Sequence, residues 1–154
     1  MTARIGIDLG TTNCCVAYVD PNTNIPRLLE VEPGQPFLSS VLAQTAQEET
    51  LVGWNAKIAK HPVYRYAFVK RAIGMDLQFP LAHGVQTATW ISAQFLHALK
   101  ACAERTLGTD VAAVVTVPAY FTAGQAQATR QAAEEAGLTL LTLVPEPIAA
   151  ALAY

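Results

Sequence analysis

Residues 4–13 read Arg4-Ile5-Gly6-Ile7-Asp8-Leu9-Gly10-Thr11-Thr12-Asn13, and the rest of the chain is read outward from them. Ile5, Ile7 and Leu9 alternate as in a half-buried strand. They run into a glycine turn that carries the hydroxyls of Thr11 and Thr12, with the Asp8 carboxylate just ahead of it. A second strand starts at Cys14. Phosphate binding favours such a turn, because glycine lets the backbone bend tightly and approach a ligand closely. Successive N–H groups and hydroxyls then converge on phosphate oxygens. Asp8 repels phosphate directly, so its position implies a cation such as Mg²⁺ between the two. Gly-Thr-Thr alone fits an ordinary hairpin; the whole string from Ile5 to Asn13 does not.

Bulk properties narrow the class. A chain of 154 residues is long enough for one domain that buries roughly 70% of its unfolded surface. A net charge of −2 excludes the basic face that non-specific nucleic-acid binding needs. Apolar residues make up 52% and charged ones only 14%, against about 25% charged in an ordinary soluble domain. Either the sheet is covered on both faces, then, or part of this surface is buried against something the chain lacks. No apolar run approaches the roughly 20 residues of a membrane span. The start of the chain passes into a strand without a signal-peptide pattern. Cys14, Cys15 and Cys102 make neither a disulfide framework nor a zinc pattern, and read as small buried apolar residues in a reducing compartment. The expected location is the cytoplasm.

Strand-like runs cover 4–9, 14–19, 27–31 and 38–44, separated by turn clusters at 20–24 and 32–36. Their short spacing favours antiparallel neighbours. Leu51-Val52-Gly53 reads as a fifth short strand, and 54–60 as one or two helical turns ended by His61-Pro62. Residues 61–90 carry the weakest signal. From Ile91 an apolar stripe (Ile91, Phe95, Leu96, Leu99, Cys102, Ala103, Leu107) predicts a helix capped by Ser92 and stopped by Gly108. Val111–Val117 and Leu138–Val144 read as strands buried on both faces. Between them, Thr122 and Gln125 have capping-box spacing ahead of a helix that reaches Gly137. Pro147 opens a short alanine-rich helix to Tyr154. A β-meander followed by strand, helix, strand, helix predicts a mixed sheet with helices packed on it.

Beyond the opening turn, three groups are chemical candidates. Lys70 is an ordinary solvated charge unless the fold brings it to the phosphates, where its ammonium would neutralise charge in phosphoryl transfer. In Thr116-Val117-Pro118-Ala119-Tyr120-Phe121 a strand ends in a proline before a capped helix, at the strand end where α/β folds often place ligands. A plain rigid turn fits that string equally well. Glu146, in Pro145-Glu146-Pro147, either orients a water or is a first-turn carboxylate favoured by the helix dipole, worth about 0.3–1 kcal/mol. His61, His83 and His97 show no metal-ligand spacing. Walker A, G-x-G-x-x-G and G-x-S-x-G strings are all absent from the sequence.

These sites, in this order, resemble the ATPase domain of the seventy-kilodalton heat-shock chaperones of the DnaK type. The matching strings are Ile5–Asn13, Glu49-Thr50-Leu51-Val52-Gly53, Lys70-Arg71-x-Ile73-Gly74 and Ile91-Ser92-Ala93. They continue with Val115-Thr116-Val117-Pro118-Ala119-Tyr120-Phe121, Ala136-Gly137-Leu138 and Glu146-Pro147-x-Ala149-Ala150-Ala151-Leu152-Ala153-Tyr154. The resemblance implies an actin-like, ribonuclease-H-like α/β ATPase fold: a mixed sheet of five-stranded type with flanking helices, in a single lobe with a reduced outer subdomain at about 38–90. It implies ATP or ADP and Mg²⁺ as ligands. Asp8 would hold Mg²⁺ through water, while Gly10, Thr11, Thr12 and Asn13 form the first phosphate loop. Lys70 would sit by the transferred phosphoryl group and Glu146 near the attacking water. Pro118 matches a switch proline that reports nucleotide state.

The departures from the family pattern also carry information. Cys14 stands where the family usually has Ser, Pro145 where it has Asn, and Ala126 where it places Arg or Lys early in the helix. The stretch from Gly74 to Ile91 is much shorter than in the family. The second lobe, with its own phosphate loop and adenosine pocket, and the peptide-binding domain have no counterpart in these residues. The expectation is therefore the N-terminal lobe of a stress-response chaperone ATPase. The parent would act on client polypeptides with a J-domain co-chaperone and a nucleotide exchange factor. The isolated lobe is expected to be idle as an enzyme and prone to self-association. The competing readings are a free-standing degenerate lobe that serves as a non-enzymatic interaction module, and an actin-like filament protein or sugar kinase. The Val-Pro-Ala-Tyr-Phe and Glu-Pro-x-Ala-Ala-Ala-Leu-Ala-Tyr strings argue against the last two.

Overall fold

Alternation along the first strand sorts its side chains cleanly in the computed structural model, which describes residues 2–153. In β1 (Ala3–Asp8), Ile5 and Ile7 are buried, while Arg4, Gly6 and Asp8 on the other face are exposed. β2 (Asn13–Val19) folds back antiparallel on β1, and β3 (Pro26–Leu28) and β4 (Phe37–Ser39) both pair antiparallel with β2. The chain then leaves the main sheet. β5 (Val41–Gln44), β6 (Thr50–Val52) and β7 (Tyr64–Ala67) make a three-stranded antiparallel sheet in the order β6-β5-β7, with the short α1 (Trp54–Ile58) between β6 and β7. A 3-10 turn over Val69–Ala72 and the hairpin β8 (Gln78–Leu81) and β9 (Gly84–Thr87) lead into the long α2 (Ala88–Leu107). β10 (Val111–Val117), α3 (Ala123–Glu135), β11 (Thr139–Pro145) and α4 (Glu146–Leu152) complete the described fold.

The central sheet runs β11-β10-β1-β2-β3, with β4 attached to β2 as a sixth strand. β10 lies parallel to both β1 and β11. Its buried face (Ile5, Ile7, Val16, Ala113, Val115) packs against Ile91, Phe95, Leu96 and Leu99 of α2 and Ala132 of α3 in one core. The opposite face is open: Gly6 has nothing within 4 Å of where a Cβ would stand, and Val114 and Thr116 are only partly covered. The first explanation for the low charge content, a sheet covered on both faces, does not hold. An apolar sheet face lies bare.

Local signals are borne out where they depend on neighbours in sequence. The stripe of α2 is buried as predicted except at Leu107, which is only partly so, and Gly108 ends the helix in the left-handed region at φ 67° with its N–H donating to Glu104 O. The capping box of Thr122 and Gln125 is complete in both directions. Other expectations need correction. α2 begins three residues earlier than Ile91, and Thr87 caps it by accepting from the Trp90 N–H, so Ser92 is a buried helix-interior residue. The run 38–44 is two strands of different sheets, parted at Ser40. The strand expected at 27–31 spans only Pro26–Leu28, and α1 ends at Ile58. β11 is an edge strand rather than a buried one, and its Leu141 is half-exposed. Cys14 and Cys102 are buried as expected, but Cys15 is only partly so. Tyr154, the expected end of the last helix, lies outside the described residues. No helix among the described residues is long and apolar enough to cross a membrane.

Candidate functional site

Strand register gathers the candidates at one end of the sheet. Asp8, the last residue of β1, lies opposite Thr116 of β10, which lies opposite Val144 of β11. Glu146 follows two residues later as the first residue of α4. Carboxyl ends of adjacent parallel strands thus stand side by side, about 4.8 Å apart. The Thr116 hydroxyl donates to Asp8 Oδ1 at 2.9 Å, so the carboxylate is oriented by the neighbouring strand. Thr116 had no role assigned from sequence. The signal that would have found it is register: it stands opposite Asp8.

The turn after β1 is built around close backbone contact. A Cβ on Gly10 would stand 1.9 Å from the Asn13 carbonyl oxygen, so only glycine fits. The carbonyl of Gly10 accepts from Ser40 Oγ at 2.8 Å, and Ser40 N–H donates to Thr12 O at 2.8 Å. Cys14 lies beneath, fully buried, its sulfur 3.2 Å from Ser40 Oγ. The crossing between the two sheets at Ser40 thereby braces the loop from below. Thr11 is half-buried, and Thr12 and Asn13 are exposed above. Ser40 carried no sequence signal, because its partners lie about thirty positions away.

Burial, only partly offset by the bonds to Ser40 and Gly10, pushes the Cys14 thiol up to about 11 from an ordinary 9.0. A thiol raised in the folded state contributes stability that is fully present below about pH 9 and lost as pH climbs through about 11. Cys14→Ser installs a hydroxyl that does not titrate in this range. Urea unfolding at pH 8 to 11 is expected to show a shallower alkaline decline for this variant than for the native chain. Parallel declines would contradict the assignment.

Lys70 reaches the site from the outer sheet. It rides on the 3-10 turn Val69–Ala72, entered through Phe68 in the left-handed region at φ 59° and ψ 24°, a strained conformation for a bulky residue. Gly74 leaves the same segment at φ 75°, and a Cβ there would meet the α3 backbone at Gln125 Cα, 2.9 Å away. The Lys70 side chain is only 7% exposed, and its ammonium donates to Glu146 Oε1 at 2.7 Å. The Phe121 ring lies 5.9 Å from the same ammonium. Phe121 is placed by Pro118: the Phe121 N–H donates to the Pro118 carbonyl at 3.1 Å, closing a tight turn at the end of β10. Pro118 itself is buried. The Asp8 carboxylate raises the Cys14 thiol and the Lys70 ammonium lowers it, both weakly.

One end of the sheet thus gathers a hydroxyl-bearing loop, a carboxylate, a cation and a second carboxylate. The Hsp70 protein family model matches residues 4–88 and 80–154. The chain is 39% identical to the chaperone protein HscA homolog of Ralstonia nicotianae, across 97% of this chain and 28% of that protein. It is 40% identical to the homolog from Cupriavidus necator with the same coverage. A relative from Herminiimonas arsenicoxydans is 39% identical. The chain belongs to the Hsp70 family. It spans about a quarter of the length of the curated relatives it matches.

Proposed function

We propose that this chain is the first lobe of an Hsp70-type chaperone ATPase and holds the phosphates of Mg-ATP along the Gly10–Asn13 loop. The observation that supports this most directly is the convergence of Asp8, the glycine turn and the Lys70–Glu146 pair at the carboxyl ends of β1, β10 and β11. The tight turn at Gly10 lets a ligand approach the loop backbone, and Thr11, Thr12 and Asn13 add polar groups to the same loop. Lys70 neutralises the transferred phosphoryl group. Glu146, 43% exposed, orients a water when Lys70 turns to phosphate. Pro118 relays the state of the site through Phe121, which touches Lys70. Ala126 lacks the charge that would extend this relay into α3.

The donor set suits Mg²⁺. Asp8 offers a hard carboxylate beside hydroxyls, and among the described residues no group of three or more His, Cys, Asp and Glu side chains gathers into a metal cage. One carboxylate plus water is the usual way this cation is held against phosphates. When bound, it neutralises charge on the β- and γ-phosphates.

The parent activity is then ATP hydrolysis coupled to the handling of client polypeptides in the cytoplasm, with a J-domain co-chaperone and a nucleotide exchange factor as partners. One wall does not make an efficient enzyme, since losing a single preorganised donor costs about 2.7–4 kcal/mol of transition-state stabilisation. The open sheet face is consistent with a site completed by further chain. Calorimetric or magnetic-resonance titration of the 154-residue chain tests both points. Mg-ATP and Mg-tripolyphosphate are expected to bind weakly, with dissociation constants above roughly 100 μM and no steady phosphate release, as suits an exposed anion site with few charge-assisted bonds. Lys70→Ala is expected to weaken both about ten-fold, as loss of a charged hydrogen bond does. Low-micromolar binding with turnover would refute the idle lobe, and an unaffected Lys70→Ala variant would refute the site.

A further inference from the structure

The neighbours Val69 and Lys70 are both buried. A strand cannot do this, because successive side chains point to opposite faces of its sheet. β7 alternates normally up to Ala67, with Tyr64 and Tyr66 half-buried and Arg65 and Ala67 exposed. The change of direction falls at Phe68, whose backbone sits in the left-handed region. Its carbonyl accepts from the Arg71 N–H at 3.1 Å and closes the 3-10 turn. Val69 then enters the core, while the Lys70 ammonium meets Glu146 Oε1. Among the described residues Asn24, Glu48, His61 and Phe68 are the non-glycine residues with positive φ, and Phe68 is the one without a polar side chain. Its ring does not repay the strain by burial. It is 52% exposed, with the Arg71 guanidinium 5.4 Å from the ring centroid. Such a conformation persists only where the surroundings fix the backbone. Here they do so on both sides: Ala67 pairs with Val41 of β5, and Gly74 lies close against the α3 backbone at Gln125.

We propose that Phe68 is a positioning residue for Lys70: its left-handed backbone, rather than its ring, turns the chain so that the ammonium faces Glu146. An extended residue at 68 carries the alternation of β7 onward, and then only one of Val69 and Lys70 can go inward. The left-handed residue sends both inward and leaves Arg71 outside, stacked on the Phe68 ring. Two adjacent basic residues are thereby sorted, one to a buried ion pair and one to the surface. The inference rests on the phosphate reading above only for what Lys70 does once it is in place. The placement itself is a matter of backbone geometry.

Four substitutions separate backbone from ring. Glycine and asparagine accept the left-handed region, valine disfavours it, and the proline ring forbids it. The coupling between Lys70 and Glu146 is measured in each background by a double-variant cycle of urea unfolding with Lys70→Met and Glu146→Ala. It is expected to persist in Phe68→Gly and Phe68→Asn and to fall to about half or less in Phe68→Val and Phe68→Pro. Full coupling in a folded Phe68→Pro chain overturns the proposal; should that chain not fold, full coupling in Phe68→Val does so. Coupling lost in Phe68→Gly and Phe68→Asn as well assigns the placement to the ring and also overturns it. Titration with Mg-tripolyphosphate then connects the turn to the site. Phe68→Val and Phe68→Pro are expected to bind it about ten-fold more weakly than the native chain, as Lys70→Ala does. Phe68→Gly and Phe68→Asn are expected to stay within about two-fold of the native chain. Unweakened binding where the coupling is lost overturns the phosphate role of Lys70 and leaves the positioning role of Phe68 standing.

Discussion

Gly10→Ala is expected to lower the stability of the chain by about 3 kcal/mol, at the upper end of what overpacking costs. The added Cβ would stand 1.9 Å from Asn13 O and 3.1 Å from the Asn13 carbonyl carbon. Both are backbone atoms, and neither has the freedom of a side-chain tip. Relief requires opening the turn, which also breaks the bond from Ser40 Oγ to the Gly10 carbonyl. Gly6→Ala is the internal control. It lies in β1, just ahead of that turn, with nothing within 4 Å of its Cβ position, and is expected to stay within about 0.5 kcal/mol of the native chain. Urea unfolding of the two variants gives the comparison directly. Equal losses would show that the tight turn is not what requires glycine at position 10.

The second large effect is an asymmetry in the ion pair. Glu146→Ala leaves the ammonium of Lys70, 7% exposed, beside the Phe121 ring and without its carboxylate. Breaking a fully buried pair costs about 3–5 kcal/mol. Because Glu146 is 43% exposed, solvent reaches this pair and the expected loss is about 2 kcal/mol. Part of that comes from losing a first-turn carboxylate of α4. Lys70→Met keeps the apolar stem in its buried slot and leaves behind a carboxylate that water can hydrate. Its expected cost is below about 1 kcal/mol. The double variant should resemble Lys70→Met more than the sum of the two, because the stranded charge is gone. A thermodynamic cycle from urea midpoints measures all three terms, and equal costs for the single variants would rule out the stranded-ammonium account.

Much of the helical half of the fold was legible because its signals are local. The stripe from Ile91 to Leu107 needs only the helical repeat, Gly108 only a left-handed stop, and Thr122 with Gln125 only three residues of spacing. The outer sheet was not legible for the opposite reason. Val41–Gln44 continues Phe37–Ser39 in sequence yet joins a different sheet, and the crossing is marked by Ser40 bonding to Gly10, thirty positions away. Ser92 looked like a cap because the stripe starts beside it, but Thr87 wins because β9 delivers the chain to α2 three residues before Ile91. β11 has the apolar composition of a buried strand, yet nothing pairs with its far side among the described residues.

For the site, the chain alone determined which groups carry chemistry: a carboxylate before a glycine turn, two hydroxyls within it, and a lysine and a glutamate elsewhere. Their types and local contexts are properties of a few adjacent residues, and those survive in any fold. Tertiary structure alone decided which of them meet. Lys70 and Glu146 are 76 positions apart and touch at 2.7 Å, because β10 lies parallel between β1 and β11 while the 3-10 turn docks on the start of α3. Thr116 became the partner of Asp8 in the same way, and one face of the sheet was left bare. Strand order and docking follow from burial summed over the whole core, so no short stretch of sequence carries them.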